Sequence, residues 1–171
     1  KAADQGWNPA IARLGDAYRD GTLGLPRDDA EALRHYRRAA EAGYAPAFAA
    51  LALAAEQGRG QDPDPAAALA LWRKAAHKGL ALAQTRIGDA ARLGQLGMVQ
   101  DDVEALLWYR LAVAQDDAAA ETDLGWALEH GRGVERDEAA AMWWYRRAAS
   151  RGGIDAQANL GTAFWYGRLG Q

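Results

Sequence analysis

The chain has 171 residues, half of them hydrophobic by a broad count and a quarter charged, with a net charge of −3. That is the profile of a folded chain rather than a disordered one, and a mildly acidic balance argues against a nucleic-acid partner. There is no cysteine, which removes disulfides, thiolate nucleophiles and zinc–thiolate sites together, and no apolar run approaches the roughly 18–20 residues that cross a bilayer.

Taken in chain order, residues 1–9 read as the tail of a preceding helix, stopped at Gly6. A first helix is predicted from about Ala10 to Asp20, with Asn8 as its cap and Pro9 at its first turn. Gly21 and Gly24 bracket the loop that follows. A second helix starts at Asp28, with Glu31 at capping-box spacing, and carries Ala32, Tyr36, Ala39 and Ala40 at helical intervals before a glycine stop at Gly43. The same pattern then repeats. Asp64 precedes Pro65, Asp101 stands three residues before Glu104, and Asp137 takes the same cap position.

Two anchors fix the repeat. Leu14-Gly15 returns as Leu51-Ala52, Ile87-Gly88, Leu124-Gly125 and Leu160-Gly161, in steps of 37, 36, 37 and 36 residues. Ala2-Ala3, Ala39-Ala40, Ala75-Ala76, Ala112-Val113 and Ala148-Ala149 keep the same steps, each followed by Gly6, Gly43, Gly79, Asp116 or Gly152. The units are 10–46, 47–82, 83–119, 120–155 and a partial 156–171. A lone short hairpin cannot bury its apolar stripe, so stacked neighbours must cover it. The glycine after leucine is expected to remove a Cβ where two helices cross, and Tyr36, Trp72, Tyr109 and Tyr145 to fill the space between them.

The run Ala-x-x-x-Leu-Gly-x-x-Tyr-x-x-Gly, then Asp-x-x-x-Ala-x-x-Trp-Tyr-x-x-Ala-Ala-x-x-Gly, resembles the Sel-1-like repeat family, relatives of the tetratricopeptide repeats. The fourth unit matches best, through Ala120, Leu124, Gly125, Gly131, Gly133, Val134, Asp137, Ala141, Trp144, Tyr145, Ala148, Ala149 and Gly152. The resemblance implies an all-α fold: a right-handed α-α superhelix of stacked antiparallel hairpins, read as one solenoid segment over 1–171. Neither end resembles a polar capping repeat, so the chain reads as a window of a longer array, with Trp7 and Trp165 on faces that neighbours would cover and self-association through open ends as one consequence.

The 37/36 alternation implies a longer period of 73 residues. Units one and three carry the long loops Gly21-Thr22-Leu23-Gly24 and Gly94-Gln95-Leu96-Gly97, and Gly167-Arg168-Leu169-Gly170 has the long form again. Units two and four carry Gly58-Arg59-Gly60 and Gly131-Arg132-Gly133. Asp16 and Arg19 return as Asp89 and Arg92, and Glu56 as Glu129, which points to duplication of a two-hairpin ancestor.

In similar repeats the first helices line a concave face that grips partners. Positions two and five after the leucine should then face the groove: Asp16, Leu53, Asp89, Trp126 and Thr162 at the first, Arg19, Glu56, Arg92, Glu129 and Trp165 at the second. The bland reading of the Asp–Arg pairs is a weak surface ion pair, and of the tryptophans, packing against the next hairpin. The arginines of the second helices, such as Arg34, Arg37, Arg38 and Arg146, read as a solvated outer face. Trp143 is extra to the motif and either extends the core or marks a second surface.

Catalytic constellations are thin. Ser150 has no histidine beside it, His35 sits in a slot filled elsewhere by Leu71, Trp108 and Trp144, and His130 beside Glu129 diverges from it on a helix. No catalytic residue, metal or cofactor is expected. The expected function is a protein-interaction scaffold or adaptor that binds a partner protein or peptide, in assembly of a bacterial envelope or signalling complex. The alternative is a cell-wall or polysaccharide binder, or a weak hydrolase, on the same scaffold. The arginine-over-lysine bias with abundant alanine suggests a high-GC bacterial genome. The compartment stays open, with export favoured over the cytosol.

Overall fold

The computed structural model describes residues 7–165. The expected tail over 1–6, and Tyr166 with the loop Gly167-Arg168-Leu169-Gly170, lie outside the described residues. Among the described residues the fold is all-α: α1 Asn8–Asp20, α2 Asp29–Glu41, α3 Ala45–Gln57, α4 Pro65–His77, α5 Ala81–Leu93, α6 Asp102–Val113, α7 Ala118–His130, α8 Glu138–Ser150 and α9 Ile154–Trp165. They group into two compact units, residues 1–83 and 84–171.

Capping explains where the second helices begin. The carboxylates of Asp28, Asp64, Asp101 and Asp137 accept the backbone N–H of Glu31, Ala67, Glu104 and Ala140. The reciprocal half of the box is absent, because the Glu31 carboxylate turns to Arg34 instead. The predicted Asn8 cap is corrected. Trp7 occupies the cap position of α1, without a side-chain bond, and the Asn8 amide donates to the carbonyl of Ala42 at the end of α2. Asn8 is already the first helical residue, so its side chain stands past the cap position.

Three of the repeat glycines, Gly15, Gly88 and Gly125, act as the sequence predicts, whereas a Cβ on Gly161 would meet nothing within 4 Å. A Cβ on Gly15 would stand 2.7 Å from the Tyr36 ring, one on Gly88 2.5 Å from Tyr109, and one on Gly125 2.8 Å from Tyr145. Each removes a clash, so the aromatic of the second helix lies flat on the first. Trp72, Tyr109 and Tyr145 are buried almost completely. His35 is likewise a packing residue, stacked 5.5 Å from Tyr18, and burial holds its pKa below the ordinary imidazole value.

The loops give the 73-residue period a physical cause. In the short loops the third residue is glycine at positive φ, Gly60 (65°) and Gly133 (67°). A Cβ on Gly133 would meet the backbone oxygen of Asp102 at 2.6 Å, and one on Gly60 the backbone of Asp29 at 3.3 Å. Each short loop thus docks on the start of the second helix in the preceding hairpin. In the long loops the same place holds Leu23 (φ 56°) or Leu96 (φ 55°), followed by Gly24 or Gly97. Hairpins one and two, and hairpins three and four, are therefore joined by flush glycine contacts inside each unit.

Asp116, which replaces a terminal glycine, keeps the glycine conformation at φ 63°. Its carboxylate accepts Arg147 at 2.7 Å and pairs with Arg151 at 2.9 Å. Beside it Glu121 is fully buried, 3.2 Å from Arg147, with burial raising its pKa. The same site in other hairpins holds other matched chemistry. The Lys78 ammonium lies 5.9 Å from the Phe48 ring, and Gln115 donates to Gln84 at 2.8 Å.

Candidate functional site

The first helices place every third or fourth residue on one face, so the positions one before, two after and five after the repeat leucine share it. In α5 and α7 this brings Asp89, Arg92, Asp123 and Trp126 together. The Tyr109 hydroxyl reaches up from α6 and donates to Asp89 at 2.9 Å, while Arg92 Nε donates to the Tyr109 oxygen at 3.1 Å. Arg92 also lies 3.5 Å from Asp89, 4.0 Å from Asp123 and 5.0 Å from the centre of the Trp126 ring. The other side of Trp126 stacks on His130 at 4.6 Å. An open cavity of about 250 Å³ adjoins this group, lined by Arg92, Thr122, Asp123, Trp126, Asp155 and Asn159 among others.

Electrostatics here are strained toward protonation. Burial, then the charge of Asp89, pushes the Asp123 carboxyl up from 3.8 to about 7. Burial, then Asp123 and Asp89, raises the Tyr109 hydroxyl above its ordinary value, so it remains a donor. In the first unit the matching set is Asp16, Arg19 and Tyr36. Tyr36 donates to Asp16 at 2.8 Å, Arg19 donates to Tyr36 at 3.3 Å, and Arg19 pairs with Asp16 at 3.1 Å. Here Arg19 turns outward to a two-pronged bond with Asp20, at 2.8 and 2.7 Å.

In the even hairpins the aromatic finds a different acceptor. Tyr145 donates to Glu129 at 2.8 Å, and the Trp72 indole N–H donates to Glu56. Asp16, Arg19, Glu56, Asp89, Arg92 and Glu129 thus join first helix to second, whatever else they contact. Leu53 is 39% exposed, Thr162 is exposed, and Trp165 is 84% exposed at the end of α9. The structure brings together Asp89, Arg92 and Trp126, and separately Asp16 with Arg19. Asp123, Asp155 and Asn159 were missed by sequence reasoning. The helical spacing that selected Trp126 also contains Asp123 one turn earlier, so the signal was present. The His130 Nδ1 lies 2.9 Å from the Trp126 carbonyl oxygen. Among the described residues no group of three or more His, Cys, Asp or Glu is placed to hold a metal ion. Trp143 is half-exposed, edge-on to Trp144, so it marks surface rather than core.

The Sel1 repeat model matches residues 8–44, 47–80, 81–117, 118–153 and 154–171. The chain belongs to the Sel1 repeat family. Two solved structures share its fold. One is a protective antigen of uropathogenic Escherichia coli with an SLR fold, 36% identical with a TM-score of 0.87 over 96% of this chain and 35% of that one. The other is a Sel1 repeat protein from Oxalobacter formigenes, 32% identical with a TM-score of 0.88 over 94% of this chain and 65% of that one. A curated relative is chitin synthase regulatory factor 3 of Schizosaccharomyces pombe, 29% identical over 140 residues, 78% of this chain and 15% of that protein. The Sel1 segment therefore spans under two thirds of each of these relatives. The Sel1 repeat is a helical scaffold of a kind typical of protein–protein interaction.

Proposed function

We propose that this Sel1 repeat segment is a non-enzymatic adaptor that grips a partner protein or peptide on the face formed by its first helices. The observation that carries the reading is Trp126, half-buried, stacked between Arg92 and His130 and opening onto the cavity between α7 and α9. Tryptophan and arginine at the edge of a pre-formed cavity are the residue types that dominate binding energy in interfaces. Two carboxyls, Asp123 and Asp155, line this cavity beside one arginine, Arg92, which favours a partner segment bearing lysine or arginine. Asp16, Arg19, Leu53, Glu56, Glu129, Thr162 and Trp165 extend the same face in the proposal. Relatives that regulate chitin synthase fit a regulatory adaptor, and an envelope or signalling complex remains part of the proposal.

The test is direct. Partners are captured from the source cells, identified by mass spectrometry and purified. The purified partner is then titrated against wild type and against Trp126→Ala with Arg92→Gln. A loss of at least about tenfold in affinity is expected. Unchanged affinity rejects this groove as the site.

A further inference from the structure

The two units are copies 73 residues apart, yet one place differs between them. In the second unit it is filled from within. The Trp126 ring lies between Arg92 and His130, and Arg132 reaches Asp102 at 3.7 Å. In the first unit the corresponding residues are Leu53, Arg19, Gln57, Arg59 and Asp29. Leucine is shorter than tryptophan, and Ala50 stands where the second unit has Asp123. Arg19 has turned away to Asp20. Arg59 directs its charge at Asp20. The result is a cavity of about 140 Å³ between the first hairpin and α3, lined by Leu33, Tyr36, Leu53 and Ala54, with Arg19, Arg59 and Asp29 also in its lining.

We infer that this cavity is a second binding site, which takes an aromatic side chain of a partner peptide with a carboxylate beside it. An apolar cavity of about 150 Å³ accommodates a benzene-sized ring. The occupant's identity comes from the chain itself, because the second unit places an indole at the position equivalent to Leu53, under the arginine equivalent to Arg19. A guanidinium attracts the face of an aromatic ring, as Arg92 does over Trp126 at 5.0 Å. Arg19 and Arg59, two guanidinium groups against the one carboxyl of Asp29 in the lining, supply the charge that a carboxylate next to the ring would meet. The site extends the adaptor reading to the first unit and rests on it. Its test, however, needs no partner protein and leaves Trp126 untouched, so the two can fail separately.

The probes are N-acetyltryptophan, which carries indole and carboxylate, and N-acetyltryptophan amide, which carries the indole alone. Each is titrated into the whole isotope-labelled chain and followed by amide chemical shifts. Saturable shifts are expected at Leu33, Leu53, Ala54 and Arg59, with the amide binding at least threefold more weakly. Leu53→Trp should abolish the shifts from both probes by filling the cavity from within. Arg59→Gln, on an exposed loop, should narrow the difference between the two probes without loss of fold. The inference is overturned by an absence of saturable shifts at these residues in wild type, by equal binding of acid and amide, or by binding that survives Leu53→Trp.

Discussion

Tyr109 donates its hydroxyl proton to Asp89 across 2.9 Å, from the second helix of a hairpin to the first. The neighbouring hairpin makes the same join one turn further on, from Tyr145 to Glu129. Polar residues on the proposed binding face therefore already hold the hairpin together.

The first prediction concerns that join. Tyr109→Phe removes one hydrogen bond and should lower stability by about 1 kcal/mol, measured by chemical denaturation. Gly88→Ala should cost more, about 2–3 kcal/mol, because its Cβ would stand 2.5 Å from a ring that cannot retreat. A milder effect for Gly88→Ala than for Tyr109→Phe would contradict the packing argument.

The loop glycines allow a matched pair of substitutions. Gly97 (φ 78°) has nothing near its missing Cβ, so Gly97→Ala should show only the left-handed strain, about 1 kcal/mol. Gly133 (φ 67°) adds a collision with the Asp102 backbone at 2.6 Å, so Gly133→Ala should cost about 2–4 kcal/mol. Equal melting temperatures for the two variants would refute the docking of the short loop.

Asp116 combines a left-handed backbone with two arginine partners. Asp116→Ala keeps the strain and loses the partners, which should cost about 1–2 kcal/mol. Asp116→Gly relieves the strain while losing the same partners, and should lie close to wild type. Thermal melts in low and high salt separate the two contributions, since only the ion pairs are screened.

Asp123 predicts a pH dependence. Its carboxyl is raised in the folded chain to about 7 from 3.8, by burial first and Asp89 second, with Arg92 opposing and Asp155 and Asp117 adding. Between those values the folded chain holds a proton that the unfolded chain has released. That stabilisation is complete below the unfolded value and is lost as pH rises through about 7. Asp123→Asn has no such proton. Relative to the variant, wild type should therefore lose on the order of 2 kcal/mol between pH 5 and pH 8. A constant difference across that range would show that Asp123 ionises normally.

The repeat itself was legible because its causes are local. Leucine–glycine spacing, aspartate caps and glycine stops each act within a few residues, so Asp28, Asp101 and Gly125 do in the fold what their positions predict. Asn8 is not the cap because the helix starts one residue earlier than its position predicts, and its amide donates to a carbonyl 34 residues away, at Ala42. The face shared by Asp89, Arg92 and Trp126 was legible in outline. The partners of its polar residues were not, since a tyrosine hydroxyl chooses between Asp89 and Glu129-like acceptors by geometry across two helices.

By itself, then, the sequence determined the hairpin, its length, the 73-residue period and the face on which Trp126 stands, because helix periodicity and turn chemistry are properties of short segments. The tertiary structure decided what each position meets. Leu53 and Trp126 hold equivalent positions in the chain. The cavity beside Leu53, and the contacts of Trp126 with Arg92 and His130, exist only after the helices have packed.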